Sequence, residues 1–206
     1  STLAGKLANR NHINHLNNLD KSNEKKYSPF TSDINITFRG SAGQGFGVFM
    51  VTGINLNLFG EANDSVCKSM SGGKVTILPS LKAKFKSEKN VIIGNCALYG
   101  ATAGTLYVSG IAGDRFAVRN SGAITVVEGT GLHTCEYMTN GTVIVLGNTG
   151  KNLGSGMTGG KIYLFGEAEE SVNTEYITKY PIDKNDYLEL KEIIEDYYKE
   201  TNSNIA

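Results

Sequence analysis

Residues 121–147 read SGAITVVEGTGLHTCEYMTNGTVIVLG. The stretch says one thing twice: a glycine, then apolar residues at alternate positions, then a closing glycine. Alternation of period two with β-branched residues is the pattern of a half-buried strand. Outward from here the pattern recurs in TGINLNLFG (52–60), GGKVTIL (72–78), AGTLYVSG (103–110) and GGKIYLFG (159–166). The anchoring glycines are Gly53, Gly73, Gly104, Gly122, Gly141 and Gly160, at spacings of 20, 31, 18, 19 and 19. The long spacing holds SLKAKFKSEKN (80–90), a polar, lysine-rich excursion that reads as a surface insertion. A period near 20 is that of a solenoid with short coils.

The register extends to side chains. Two residues after the anchor come Val75, Leu106, Ile124, Val143 and Ile162; four after come Ile77, Val108, Val126, Val145 and Leu164. The first coil slips by one, with Leu56 and Leu58 in those roles. Three before the anchor come Met50, Met70, Ala101, Arg119, Met138 and Met157, which use all four methionines of the chain. The expectation is a stacked core column in which Met fills irregular gaps. Arg119 breaks that column, so it calls for a partner, with Glu128 or Glu136 as the carboxylate, or for a neighbouring domain.

The glycine-rich GSAGQGFG (40–47) invites a phosphate-loop reading. A phosphate loop occurs once, between a strand and a helix. Here the same glycine phase returns in GEAND, GNCALYG, GIAGDRF and GNTGKNLG, one per coil. The glycines therefore read as turns of the repeat.

Composition narrows the function classes. The chain has 206 residues, 20 basic against 20 acidic side chains, 25 glycines, 3 prolines and no tryptophan. Balanced charge without a basic stripe argues against nucleic acid as the main partner. No apolar run approaches the roughly 20 residues that span a bilayer, so no membrane partner is expected. Cys67, Cys96 and Cys135 are too scattered for a disulfide framework, which points to an intracellular setting with cytoplasm or plastid left open. Cys67 and Cys135 share one phase and read as small buried hydrophobes. His133 beside Cys135 lacks a third group for nucleophilic chemistry. His12 and His15, in an asparagine-rich stretch at 11–26, read as solvated polar residues. No catalytic, cofactor-binding or metal-binding residue is assigned. Asp114, Arg115, Arg119, Asn120 and Glu136 cluster at turn and strand edges and are the candidates for an inter-domain contact.

Three regions result: 1–33, a lead-in helix (LAGKLANR) and polar insertion; 34–172, the repeat, starting with a strand at DINITFRG; and 173–206, a tail with a helix at 186–199. The apolar face of that helix is expected to cap the solenoid end or meet another domain.

GSAGQGFG, GEANDSVCKSMSGGKV, NVIIGNCALYGATAG, GIAGDRFAVRNSGAITVVEG, GLHTCEYMTNGTVIVLG and NLGSGMTGGKIYLFGE together resemble the C-terminal GXGXG domain of the glutamate synthase large subunit, from about residue 34 to 168. The resemblance implies an all-β fold, a single-stranded right-handed parallel β-helix of about seven coils with short terminal helices. It implies a parent oxidoreductase that makes two glutamates from glutamine and 2-oxoglutarate. An amidotransferase domain releases ammonia, and a barrel with FMN and an iron–sulfur cluster reduces, using NAD(P)H or ferredoxin. The β-helix would brace these domains without an active site, its partners being those domains and a small NAD(P)H-oxidising subunit or domain. LAGKLANR and the terminal TNSNIA resemble family motifs that continue in the parent, which implies an excised piece. Gly45 stands where the family commonly has serine, and Ser65, Cys67 and Ser69 where it has tyrosine and glycines. The alternative is a stand-alone GXGXG subunit, as in archaeal glutamate synthases and formylmethanofuran dehydrogenases. β-Helix lyases would need carboxylates gathered on one strand face, and here those positions are apolar, Thr or Tyr.

Overall fold

A computed structural model describes residues 2–9, 33–165 and 171–206. The asparagine-rich stretch with His12 and His15 lies outside these residues. A helix, α1, covers residues 2–9. Strands follow at β1 (Ile34–Ser41), β2 (Ile54–Glu61), β3 (Ser71–Leu78), β4 (Val91–Ile93), β5 (Ala103–Ala112), β6 (Ser121–Thr130), β7 (Asn140–Val145) and β8 (Lys161–Leu164). They stack in the order β1-β2-β3-β5-β6-β7-β8, each pair parallel, with β4 alongside β5. Sequential parallel neighbours, one strand per coil, make the chain a parallel β-helix of about seven coils. The insertion after β3 carries only a short 3₁₀ turn at Ser87–Lys89. The Ala4 and Leu7 side chains of α1 are buried in the core cluster at the first coils.

The inner columns follow the repeat with one correction. Ile124 lies opposite Thr105 and Thr142, while Thr125 lies opposite Leu106 and Val143. The inward residues of β6 are therefore Thr125 and Val127, and Ile124 and Val126 face out. Asn120, not Arg119, occupies the methionine column. The pairing of β6 with β7 shifts by one residue between Ser121 and Ile124, as that of β3 with β5 does between Ser71 and Lys74. Asn120 holds the shift in β6: its Oδ1 accepts the N–H groups of Gly122 (3.2 Å) and Ala123 (2.9 Å), and its Nδ2 donates to the Ala123 carbonyl (3.0 Å). An amide that satisfies three backbone groups can be buried where an unpaired one could not.

The column also explains the anchor glycines. A Cβ on Gly104 would lie 2.6 Å from the Met70 Cε, one on Gly160 2.6 Å from the Met138 Cε, and one on Gly141 2.8 Å from the Asn120 Nδ2. Each large column residue reaches over the next coil's glycine. Ala101 is the small member of the column, and the next coil carries Ala123 in place of glycine at that point.

The tail differs from expectation. The helix, α2, runs Lys184–Thr201 and lies on the outer sheet face instead of capping an end. Its start is fixed by a capping box: the Asp186 N–H donates to the Asp183 Oδ1 at 2.8 Å, and the Asp183 N–H to the Asp186 Oδ2 at 3.3 Å. Asn202, left-handed at φ 50°, ends it. Ile193 and Tyr197 bury against Tyr107, Val126 and Ile144. The β6 slip is what supplies Val126 to this second core.

Candidate functional site

The contact candidates lie on the turn side of the coils. Within residues 114–120 every second residue has positive φ, at Arg115 (58°), Ala117 (56°) and Arg119 (55°); the next coil repeats this at His133 (62°), Cys135 (59°) and Tyr137 (54°). Left-handed backbone costs a non-glycine residue roughly 1–2 kcal/mol. Hydrogen bonds between coils hold it. The N–H of Arg115 donates forward to the Leu132 carbonyl (2.7 Å), that of Ala117 back to Ala97 (2.8 Å), and that of Arg119 forward to Glu136 (2.8 Å). Alternating directions stitch each turn to both neighbours.

GSAGQGFG is the first such turn. Gly43, Gly45 and Gly47 have φ of 71°, 69° and 71°. The Gly45 N–H donates to the Asp64 carbonyl at 2.8 Å, so it serves the wall and not a phosphate. Gly45 adopts the same left-handed state as Ser65 (φ 62°), the residue stacked on it.

A side-chain ladder reinforces one corner. The Asp64 Oδ1 accepts the Asn95 N–H, the Asn95 Oδ1 the Asp114 N–H, and the Asp114 Oδ1 the Leu132 N–H, each at 2.8 Å. Gly94, Gly113 and Gly131 precede the receiving residues, and a Cβ at any of them would collide with the incoming side-chain oxygen.

The structure separates the five candidates. Arg115 and Arg119 are exposed, and among the described residues neither guanidinium has an ion pair or side-chain hydrogen bond. The expected carboxylate partner of Arg119 is engaged elsewhere in both cases. Glu136 meets the His133 Nδ1 at 2.6 Å. Glu128 is 2% exposed on the outer sheet face, where its Oε1 accepts from Ser109, Tyr197 and Ser203. Asp114 belongs to the ladder. Asn120 has no exposed surface and acts within the wall. Sequence reasoning missed Tyr137 and Leu132, exposed at 57% and 43% beside the arginines. The signal was present: Tyr137 shares the left-handed phase of Arg119, and its ring lies against Gly156 of the following coil.

Cys67 and Cys135 are fully buried, and burial pushes both thiols well above the usual range, away from nucleophilic or ligating thiolates. With only Cys96 besides, the thiols do not fit an iron–sulfur cluster, which needs four ligands. Among the described residues no three His, Cys, Asp or Glu groups gather as metal ligands. The cluster at 115–137 therefore offers contact chemistry: two arginines without side-chain partners beside the exposed Tyr137 and Leu132.

The GXGXG motif model matches residues 18–206. The glutamate synthase [NADPH] large chain of Azospirillum brasilense is 49% identical over 178 residues, 84% of this chain and 12% of that protein. Ferredoxin-dependent glutamate synthase 2, chloroplastic, of Arabidopsis thaliana is 57% identical over 119 residues, 57% of this chain and 7% of that protein. Glutamate synthase [NADH] of Schizosaccharomyces pombe is 56% identical over 111 residues, 54% of this chain and 5% of that protein. The chain thus spans 12% or less of the length of these relatives. Fold, turn chemistry and sequence agree: the chain is a β-helix domain of the GXGXG family, related to glutamate synthases.

Proposed function

We propose that the chain is a non-catalytic brace within a glutamate synthase, an oxidoreductase converting glutamine and 2-oxoglutarate to glutamate. The observation that carries this reading is how the solenoid spends its reactive groups. Asp64, Asn95 and Asp114 hold turns, both fully buried thiols pack the core, and the Glu128 Oε1 is taken up by three hydroxyls. Among the described residues of the turn face, Lys151, Arg115 and Arg119 have no ion pair or side-chain hydrogen bond, and the two arginines are flanked by exposed Tyr137 and Leu132. Arginine and tyrosine are enriched at interface centres. These residues are proposed as the contact with the amidotransferase or flavin domain. FMN and the iron–sulfur cluster would reside in those domains, and the electron donor, NAD(P)H or ferredoxin, would act there too. A small NAD(P)H-oxidising subunit is a further partner under this reading. The setting would be cytoplasm or plastid.

The test has two arms. The chain alone, incubated with glutamine and FMN, is expected to release no ammonia and retain no flavin absorbance; turnover or bound flavin would overturn the reading. In a pull-down with the remaining domains of its parent, Arg115→Ala with Arg119→Ala is expected to weaken capture at least tenfold. Unchanged capture would move the contact elsewhere on the solenoid.

A further inference from the structure

We infer that α2 is a releasable strap, matched one helical turn to one coil, whose release is favoured by a buried carboxylate beneath it. The inference is independent of the brace reading.

The match is geometric. An α-helix rises about 5.4 Å per turn, and neighbouring strands lie about 4.8 Å apart. A helix laid across the strands therefore meets a new coil about every turn, and the mismatch of about 0.6 Å per turn, about 2–3 Å over five coils, is within reach of long side chains. The contacts follow this rhythm. Asp186 accepts from Lys161 and Tyr163 of β8 (both 2.8 Å). Glu189 accepts from Thr142 of β7 at 2.9 Å and from Lys161 at 2.9 Å. Ile193 packs with Ile144 of β7 and Val126 of β6. Asp196 accepts from Tyr107 of β5 at 2.9 Å, and Tyr197 donates to the Val108 carbonyl at 3.2 Å. Asp196 and Glu200 hold Lys74 of β3 at 2.8 and 3.0 Å. Five coils are tied by successive turns of one helix.

The fastening is uneven. At both ends it is made by lysine pairs with substantial solvent exposure, which are individually weak. Under the C-terminal part of α2 sits Glu128, bonded by Tyr197 in the last turns and by Ser203 just beyond the helix. Its Oε1 takes three hydroxyl donors, while its Oε2 is buried with no partner and no cation pairs with it among the described residues. A buried oxygen without a donor raises the energy of the closed state and regains water when the strap lifts. The hydroxyl bonds and apolar contacts hold α2 down, and the bare oxygen opposes them. Opening would bare an apolar strip of Tyr107, Val126 and Ile144 while the inter-coil hydrogen bonds stay intact.

Hydrogen exchange on the whole chain tests this. The α2 amides are expected to exchange at one common rate, at least 100-fold faster than those of β5–β7. Glu128→Gln keeps an acceptor for the three hydroxyls and exchanges a desolvated charge for a neutral amide, whose unpaired N–H₂ offsets part of the gain, so it should slow α2 opening severalfold. Lys74→Gln combined with Lys161→Gln should speed it by a similar factor and leave β5–β7 unchanged. Exchange of α2 only together with the sheet, fraying from Thr201 inward, or unchanged or faster opening in Glu128→Gln would each overturn the proposal.

Discussion

The two faces of one sheet obey different rules. On the inner face each coil repeats its neighbours: Leu56, Val75, Leu106, Thr125, Val143 and Ile162 form one column, all but Thr125 aliphatic, and the methionine column lies beside it. On the outer face the character changes along the axis. β1 and β2 present Asn35, Asn55, Thr37 and Asn57, with the Asn55 Nδ2 donating to the Asn35 Oδ1 at 3.0 Å. From β5 onward the same face presents Tyr107, Val126, Ile144 and Tyr163 to α2. Beyond the first coils, where α1 adds Ala4 and Leu7, the inner face has only other coils for company, so a repeating backbone demands a repeating side chain. The outer face is free to vary, and it varies where a helix arrives. Stability that depends on repetition should fail abruptly when a repeat is broken, whereas the strapped face should fail locally.

The sharpest break is at an anchor glycine. Gly104 has φ +101°, and an added Cβ would sit 2.6 Å from the Met70 Cε and 3.0 Å from the Gly73 carbonyl oxygen. Backbone strain of about 1–3 kcal/mol and overpacking of similar size act together. Gly104→Ala should therefore lose about 3 kcal/mol or more, a fall of roughly 10 °C in Tm by calorimetry. A loss below about 1 kcal/mol would show that the coils adjust independently.

A compensated exchange sharpens the point. Ala101→Met inserts a methionine into the column where the next coil carries Ala123 and not glycine. Alone it should cost about 1–3 kcal/mol. Adding Ala123→Gly should recover about 1 kcal/mol or more, measured as coupling in a double-mutant cycle by chemical denaturation. Strict additivity would break the claim that column residue and anchor are chosen together.

On the outer face, Tyr197→Phe keeps the edge-on contact with Tyr107 (centroids 5.5 Å apart) and removes the hydroxyl bound to Glu128 and the Val108 carbonyl. The expected cost is about 1 kcal/mol. Hydrogen exchange should report it in α2 and leave β5–β7 unchanged. A cost matching Gly104→Ala would mean that the two faces form one cooperative unit after all.

Much of the inner face was legible because its period is enforced. The columns at Val75, Leu106 and Val143 follow from spacing alone. The slip at β6 was not: Gly122 looks like an anchor, and only the side chain of Asn120, bonding three backbone groups, makes Ala123 the true one. The left-handed turns were half legible. Glycine announces them in GSAGQGFG, but Arg115, Arg119, His133 and Tyr137 adopt the same backbone without glycine, held by bonds between coils some 18 residues apart. Assigning Arg119 to the core was the consequence. The existence of α2 was legible from its amphipathic pattern, but a helical stripe does not say what it faces. That depended on Ile124 and Val126 pointing outward, which the slip decides.

The mildest break is by acid. Hydrogen bonds from Lys161, then Tyr163, then the Asp183 N–H hold the Asp186 carboxyl down at about 2. An unfolded aspartate titrates near 3.9. A folded value below the unfolded one means that Asp186 favours docking fully at pH above about 4, and that this contribution fades as pH falls toward 2. Lowering pH from 5 to 2 should therefore loosen the docking of α2, through its contact with β8, before the inner columns respond. In Lys161→Gln the midpoint of that loosening should move up toward the ordinary carboxylate range, read from the side-chain carboxyl signal of Asp186 by NMR. Asp186 also serves the capping box, so the shift should be partial: the lysine contribution goes, while the Asp183 N–H and the Tyr163 hydroxyl still bind the carboxylate. An unmoved midpoint would mean that the cap alone governs this residue and that the lysine at the strap's first turn fastens nothing.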